Sequence, residues 1–190
     1  MLPYSSKVIA FEPLSVMQKR LRIVFGDRIE LHGVALSDSS GEVEIRLPRG
    51  NPSWATIDHH NRLALTDGAD LESHRVPMRR LDEFTLHGVG VIKIDVEGHE
   101  EAVLRGAADT LRRNHPALII ESEERHNVGA VGRVIGFLEE LGYGGYFLED
   151  GKPVDVSNFD ADRDQDPANV GVMGKSGRYI NNFIFEYRGG

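Results

Sequence analysis

Cysteine is absent from these 190 residues, which excludes disulfide frameworks, thiolate nucleophiles and cysteine-ligated zinc. No apolar run approaches the roughly 18 residues that a membrane-spanning helix needs. The opening Met1-Leu2-Pro3-Tyr4-Ser5-Ser6-Lys7 lacks the basic region, apolar stretch and small-residue cleavage pattern of a signal peptide, so a cytoplasmic protein is expected. Positive charge is in deficit, with 22 basic against 30 acidic residues and a net charge of -8. That argues against an electrostatic grip on nucleic acid or an anionic membrane and favours small-molecule or glycan partners, with a homo-oligomer also open. There is no internal repeat of about 20 to 50 residues. The run Asp160, Asp162, Asp164, Asp166 lacks the sharp-turn glycine and closing glutamate of a calcium-binding EF-hand loop, so a solvated loop and no metal are expected there.

What is present is organised around Val89-Gly90-Val91-Ile92-Lys93-Ile94-Asp95-Val96-Glu97-Gly98-His99-Glu100, the most apolar run, which nonetheless carries charge. Side chains alternate along a strand, so Ile92, Ile94 and Val96 take one face and Lys93, Asp95 and Glu97 the other. A strand leading directly into a helix sits in a parallel sheet whose faces are normally both covered. Charges in a row are costly to bury there, and ligands of open α/β sheets lie at the carboxyl ends of the strands, where Asp95 and Glu97 fall.

In chain order, residues 7–11 form a strand stopped by Pro13, and a helix runs from Leu14 to Phe25 with Gly26 as its stop. Residues 29–36 are a strand, and residues 42–47 alternate cleanly enough to make an edge strand in a hairpin with it. Residues 48–72 form a long loop holding Trp54, which is as suited to stacking on a substrate as to covering the core, and the surface pair His59-His60. Residues 73–78 read as a strand and residues 81–86 as a turn of helix. A helix follows Gly98 on the stripe Val103, Leu104, Ala107, Ala108, Leu111. Residues 116–121 are a strand ending in acid, then comes a helix on Val128, Val131, Val134, Ile135, Leu138 and Leu141, closed by Gly142. The last strands are residues 143–148 and 182–187, separated by a loop at 150–175. The length suits one domain.

The run Ile92-Lys93-Ile94-Asp95-Val96-Glu97-Gly98-His99-Glu100, followed by Val103-Leu104-Arg105-Gly106-Ala107 and Pro116-Ala117-Leu118-Ile119-Ile120-Glu121, resembles the FkbM family of S-adenosylmethionine-dependent methyltransferases. Val8-Ile9-Ala10-Phe11-Glu12-Pro13, Val34-Ala35-Leu36-Ser37-Asp38 with Gly41, and Leu81-Asp82 look like the preceding blocks of that family in the same order. Ordered blocks from Lys7 to about Phe185 are far more specific than any one of them. The resemblance implies an α/β, Rossmann-like class I methyltransferase fold with a mostly parallel sheet and a C-terminal antiparallel strand. It also implies S-adenosylmethionine as cofactor and methylation of a sugar or other hydroxyl acceptor.

In that fold an acidic residue ending the second strand accepts both ribose hydroxyls, and Glu12 matches it. By the same resemblance Ser37 and Asp38 border the adenine, and Asp95 and Glu97 face the sulfonium and the incoming hydroxyl. His99 and Glu121 are the other groups able to take a proton there. Taken without the resemblance, Glu12 is a strand-end carboxylate, Ser37-Asp38 an ordinary turn, Lys93-Asp95 a self-satisfying ion pair and His99 a surface residue on a first helical turn.

The glycine-rich strand-loop-helix unit with which family members begin has no counterpart here, since ten residues precede Phe11 and the first glycine is Gly26. Residues 1–190 are thus expected to be a single methyltransferase-like domain without that unit. Its strand lies between the one ending at Glu12 and the one ending at Asp95. Unpaired buried backbone groups cost about 1 to 3 kcal/mol each, so the two flanking strands are expected to close up and pair, narrowing the cofactor pocket so that S-adenosylmethionine binds weakly or not at all. Three functional readings stay open: a methyltransferase, an inactive remnant serving as an interaction module, and a divalent-metal hydrolase using Asp95, Glu97 and Glu121. Metal-dependent thermal stabilisation would single out the last.

Overall fold

The computed structural model describes residues 5–48, 71–169 and 178–189. Strand β1 (Ile9–Phe11) leads into helix α1 (Ser15–Phe25), which ends where Gly26 takes φ 54°, a left-handed conformation open to glycine. Strands β2 (Glu30–His32), β3 (Ala35–Leu36), β4 (Gly41–Pro48) and β5 (Leu71–Arg79) follow. Next come β6 (Val91–Asp95), helices α2 (Glu100–Arg105) and α3 (Ala108–Asn114), β7 (Ala117–Glu121), α4 (Ala130–Glu140), β8 (Tyr143–Glu149), β9 (Lys152–Asp155), the short α5 (Ala161–Asp164) and β10 (Asn182–Tyr187).

The strands ladder into three sheets: β1-β2, β3-β5-β4 and β6-β7-β10-β8-β9. Pairing is parallel in β1-β2, β3-β5 and β6-β7 and antiparallel elsewhere. The antiparallel C-terminal strand expected from the missing last helix is β10, inserted between β7 and β8.

Four local expectations are corrected. β4 pairs with β5, Val43 opposite Val76, and not with the strand before it, because residues 29–36 break into β2 and β3 at Gly33-Val34 and β3 lies parallel on the far side of β5. The expected helix after Gly98 divides into α2 and α3 at Gly106-Ala107. The polar stretch after Asp150 is structured where described: β9 pairs with β8, Asp160 caps α5 by accepting the Arg163 N–H at 2.9 Å, and Asp164 is fully buried against Arg163 and Arg178. Two arginines balance that aspartate. Finally, β1 and β6 do not pair. β1 is held on β2 by its ladder and by Phe11, which stacks on His32 at 5.2 Å and meets the edge of Phe84 at 4.9 Å.

The main core lies on one face of the five-stranded sheet. Ile94, Leu118, Ile120, Phe147, Phe183 and Phe185 project there and are covered by Val103, Leu104 and Leu111 of the α2-α3 pair and by Val131, Val134 and Leu138 of α4. The stripe of α4 is the predicted one, except that Val128 precedes the helix and is 83% exposed. Among the described residues no helix covers the opposite face, which carries Lys93, Asp95, Ile119, Glu121, Tyr146, Leu148, Asn182 and Ile184 by strand alternation. A second, smaller core joins Leu14 to Ala35, Ile45, Leu47 and Val76.

Two contacts fix how α3 meets the rest. The Asp82 carboxylate accepts the N–H of Thr110 at 2.8 Å and of Asp109 at 3.1 Å and the Thr110 hydroxyl at 2.7 Å, capping the helix from a distant segment. At the α2-α3 joint the backbone of Gly106 lies so close to the Ser37 carbonyl that a β-carbon would overlap it.

Candidate active site

The rim formed by the carboxyl ends of β3, β6 and β7 gathers most of the charged side chains singled out from the sequence. Asp95 and Glu121 end β6 and β7 directly opposite each other in parallel register. Burial and the adjacent Asp95 carboxylate push the Glu121 pKa up, while Asn181 donates to Glu121 Oε1 at 2.8 Å. Lys93 lies on the same face and reaches Asp95 at 2.5 Å, but the two side chains are 41% and 47% exposed. The burial cost that drew attention to these charges is therefore not incurred, and their ion pair is a solvent-facing one of modest energy.

Past β6 the chain makes a sharp turn in which Glu97 takes φ 22° and Gly98 φ 96°. A non-glycine residue so placed is strained, and such strain is retained where a side chain must be aimed. Glu97 turns toward His126, whose Nε2 lies 2.6 Å from its carboxylate. His126 sits in the β7-α4 connection, is 8% exposed, and also faces Glu123 at 3.7 Å. Glu123 is buried too. It receives both Arg125 nitrogens, at 2.5 and 3.0 Å, and the Tyr179 hydroxyl.

Burial works against the charged imidazole, yet the adjacent carboxylates of Glu123 and Glu97 outweigh it and hold the His126 pKa at about 9. Burial likewise opposes ionisation of Glu123, but its three donors prevail and hold it well below the usual carboxylate range. Gln165 anchors this connection from the other side, donating to the carbonyls of Ser122 at 2.8 Å and Ile180 at 2.7 Å and accepting the Glu124 N–H at 2.7 Å.

His99, the residue before α2, meets Ser37 at the end of β3, Nε2 to Oγ 2.9 Å. Ser37 is buried, whereas Asp38 is exposed and lies 3.3 Å from the same hydroxyl. Glu100 opens α2 almost fully buried, accepting the Gly98 N–H at 2.8 Å and the Ser122 hydroxyl at 3.5 Å. Burial pushes its pKa up to about 7. A carboxyl raised on folding binds its proton more tightly in the folded state, so stability falls as pH rises from about 4.3 through 7. Glu100→Gln is accordingly expected to stabilise the protein by about 1 to 2 kcal/mol at mildly alkaline pH and to give no gain in acid, as read by thermal melts across pH.

Glu12 stands apart from this network. Its carboxylate accepts the Leu14 N–H at 2.8 Å, and burial outweighs that bond and raises its pKa. It is a half-buried acid with more acceptor capacity than its backbone partner uses, which fits a group presenting hydroxyl donors. Ser37 fits less well as a ligand for a nucleobase, since its hydroxyl is committed to His99.

The residues missed from sequence are Glu123, Arg125, His126 and Tyr179. The acidic run after β7 was visible, and extending the carboxyl-end rule five residues into that connection would have reached His126; nothing local pointed to Tyr179. Glu97, Glu123 and His126 bring potential metal-ligand atoms within 4.8 Å of one another, the sole such group among the described residues. The set differs from the Asp95, Glu97 and Glu121 expected for a metal hydrolase, and Arg125 and Tyr179 already occupy Glu123. Trp54, His59 and His60 lie outside the described residues.

Strands whose carboxyl ends are tied together by side-chain bonds, backed by helices on the core face, define an α/β protein of the Rossmann-like class I methyltransferase type. The chain belongs to the FkbM methyltransferase family: residues 2–144 match its domain, described as "Methyltransferase FkbM domain". A crystal structure of methyltransferase FkbM from Methylobacillus flagellatus aligns with a TM-score of 0.53 at 17% identity, covering 95% of this chain and 36% of that one. The AMB antimetabolite synthetase AmbE of Pseudomonas aeruginosa is 26% identical over 164 residues, which is 67% of this chain and 8% of that protein. The chain thus spans about a third of the solved relative and a small part of the curated one. No helix among the described residues is long and apolar enough to cross a membrane.

Proposed function

We propose that this chain is a S-adenosylmethionine-dependent methyltransferase that O-methylates a hydroxyl on a small molecule or glycan, working in the cytoplasm. The observation that carries the reading is the gathering of side chains from the family's motif blocks at three strand ends, Ser37 bonded to His99 and Asp95 beside Glu121, with Glu97 paired to His126 of the next connection. Ligands of open α/β folds bind on such a rim.

When bound, the cofactor supplies an activated methyl group on a sulfonium. Glu12 is the residue assigned to its ribose hydroxyls and Asp38 to the adenine side. Asp95 and Glu97 offer negative charge to the sulfonium, and in-line displacement asks the chain for orientation. Glu121, with its raised pKa, is suited to accept the hydroxyl proton at its carboxylate, because a base poised nearer neutrality is the more effective one. His99 orients Ser37 and so the β3 end of the rim.

Isothermal titration of the 190-residue chain with S-adenosylmethionine tests the reading. Binding is expected, with Glu12→Ala weakening it at least about tenfold through loss of charge-assisted bonds. Trp54→Ala, acting through the acceptor, should leave cofactor affinity unchanged. Equal losses in both variants would show the cofactor site wrongly assigned, and a wild type that takes up no cofactor would end the proposal.

A further inference from the structure

A shallow cleft of about 220 Å³ opens on the sheet face that no helix among the described residues covers. It is lined by Leu148 at the end of β8, by Asn182 and Ile184 of β10, and by Tyr179, Ile180 and Asn181 leading into β10. Leu148 is 50% exposed there. Ile184 lies opposite Ile119 and Tyr146 in the ladders, so the apolar ground continues on either side of it. The Tyr179 hydroxyl is committed to Glu123, which fixes its ring along the cleft.

Polar groups tie this cleft to the rim. Asn182 donates to the Asn181 carbonyl oxygen at 2.9 Å, and Asn181 donates to Glu121 Oε1 at 2.8 Å. Two amides thus lead from the cleft to the carboxylate assigned above to accept a hydroxyl proton. The Asn182 side chain keeps a second N–H and its carbonyl oxygen without a partner among the described residues, a donor and an acceptor side by side on an exposed residue.

We infer that the cleft is the acceptor subsite and that it takes a single uncharged saccharide ring, its C–H face on Leu148, Ile184 and Tyr179 and its hydroxyls on Asn182 and toward Glu121. The inference rests on the methyltransferase reading and narrows its acceptor. Size limits the occupant to one small ring, since the cleft is below the about 300 to 1,000 Å³ of pockets for drug-sized ligands. Neighbouring ring hydroxyls both donate and accept, as the Asn182 amide does, whereas a flat phenol would cover the apolar ground and leave amide groups unpaired. Asp95, Glu121 and Glu123 at the same rim disfavour a uronate or a sugar phosphate.

The probes are the uncharged methyl glycosides of glucose and galactose, methyl glucuronide as the same kind of ring with a carboxylate, and catechol as a flat phenol. Each is titrated into the 190-residue chain by NMR, following the side-chain amides of Asn181 and Asn182 and the methyl groups of Leu148 and Ile184. At least one uncharged glycoside should shift all four side chains saturably and bind at least about threefold tighter than the glucuronide. Asn182→Ala should weaken that glycoside about three- to tenfold, the ordinary worth of one or two hydrogen bonds, and Leu148→Ser should weaken it as well. Both side chains stand in solvent, so both variants keep the fold, as melts will verify.

Shifts that miss these side chains, preference for catechol or the glucuronide, or full affinity in Asn182→Ala overturn the inference. If S-adenosylmethionine binds and no glycoside does, the cleft is not a saccharide subsite and the methyltransferase reading stands. If a glycoside binds in the cleft but S-adenosylmethionine is taken up neither with it nor without it, that reading fails and the acceptor role falls with it.

Discussion

Glu123→Ala is expected to cost about 3 kcal/mol of stability, the low end for breaking a buried ion pair because Arg125 keeps contact with water. The carboxylate is the hub of its cluster: Arg125 gives it two bonds, Tyr179 one, and His126 faces it at 3.7 Å. Truncation takes this carboxylate from Arg125 and Tyr179 and leaves the buried imidazole with Glu97 as its remaining carboxylate neighbour within salt-bridge range among the described residues. The pH dependence has a definite sign. Glu123 is depressed on folding, so its contribution is complete above the ordinary glutamate value near 4.3 and is lost as pH falls through its lower folded value. The gap between wild type and variant therefore narrows in acid. His126 is raised, so its contribution is complete below its ordinary value near 6.5 and is lost as pH climbs through about 9. Urea unfolding of both proteins in acid, neutral and alkaline buffer reads each arm. A gap that stays constant across pH would mean that the cluster's charges contribute nothing to the fold.

Gly106→Ala should be at least as damaging, about 3 kcal/mol or more, at the upper end of overpacking costs. The backbone of Gly106 has φ -71° and ψ -7°, an ordinary right-handed conformation, so the glycine is not there to permit an unusual turn. It is there because the α2-α3 joint presses against the Ser37 carbonyl, where a methyl group has no space. Relief would require β3 and its following turn to separate from the joint, carrying Ser37 away from His99. The measurable sign is a lowered melting point accompanied by a shift of the His99 ring resonances. A variant with wild-type stability would mean that the close approach is not maintained in solution.

Sequence alone determined a good deal here. Local periodicity sufficed for α1, α4, β4, β6, β7 and β10, because each carries its apolar face within one short window: Val131, Val134 and Leu138 sit on one side of a helix whatever surrounds it. The ordered motif blocks identified the family and, through it, the fold class. The cluster around Glu97 was half legible, since the turn after β6 drew attention but its partner did not.

What only the tertiary structure decided are the facts that depend on strands or side chains far apart in the chain. β4 pairs with β5 rather than with its neighbour, and β3 lies parallel on β5's other edge, pairings between distant segments that no local window records. β1 lies on β2, with Phe11 stacked on His32, and does not ladder with β6. Lys93 and Asp95, conspicuous as charges in an apolar run, turned out to face water because helices cover one side of their sheet. Glu123 and His126, inconspicuous in a polar run, are buried because Tyr179 and Gln165 arrive from some 40 to 60 residues later. Burial is a property of the assembled fold, and the cost or value of a charge follows from it.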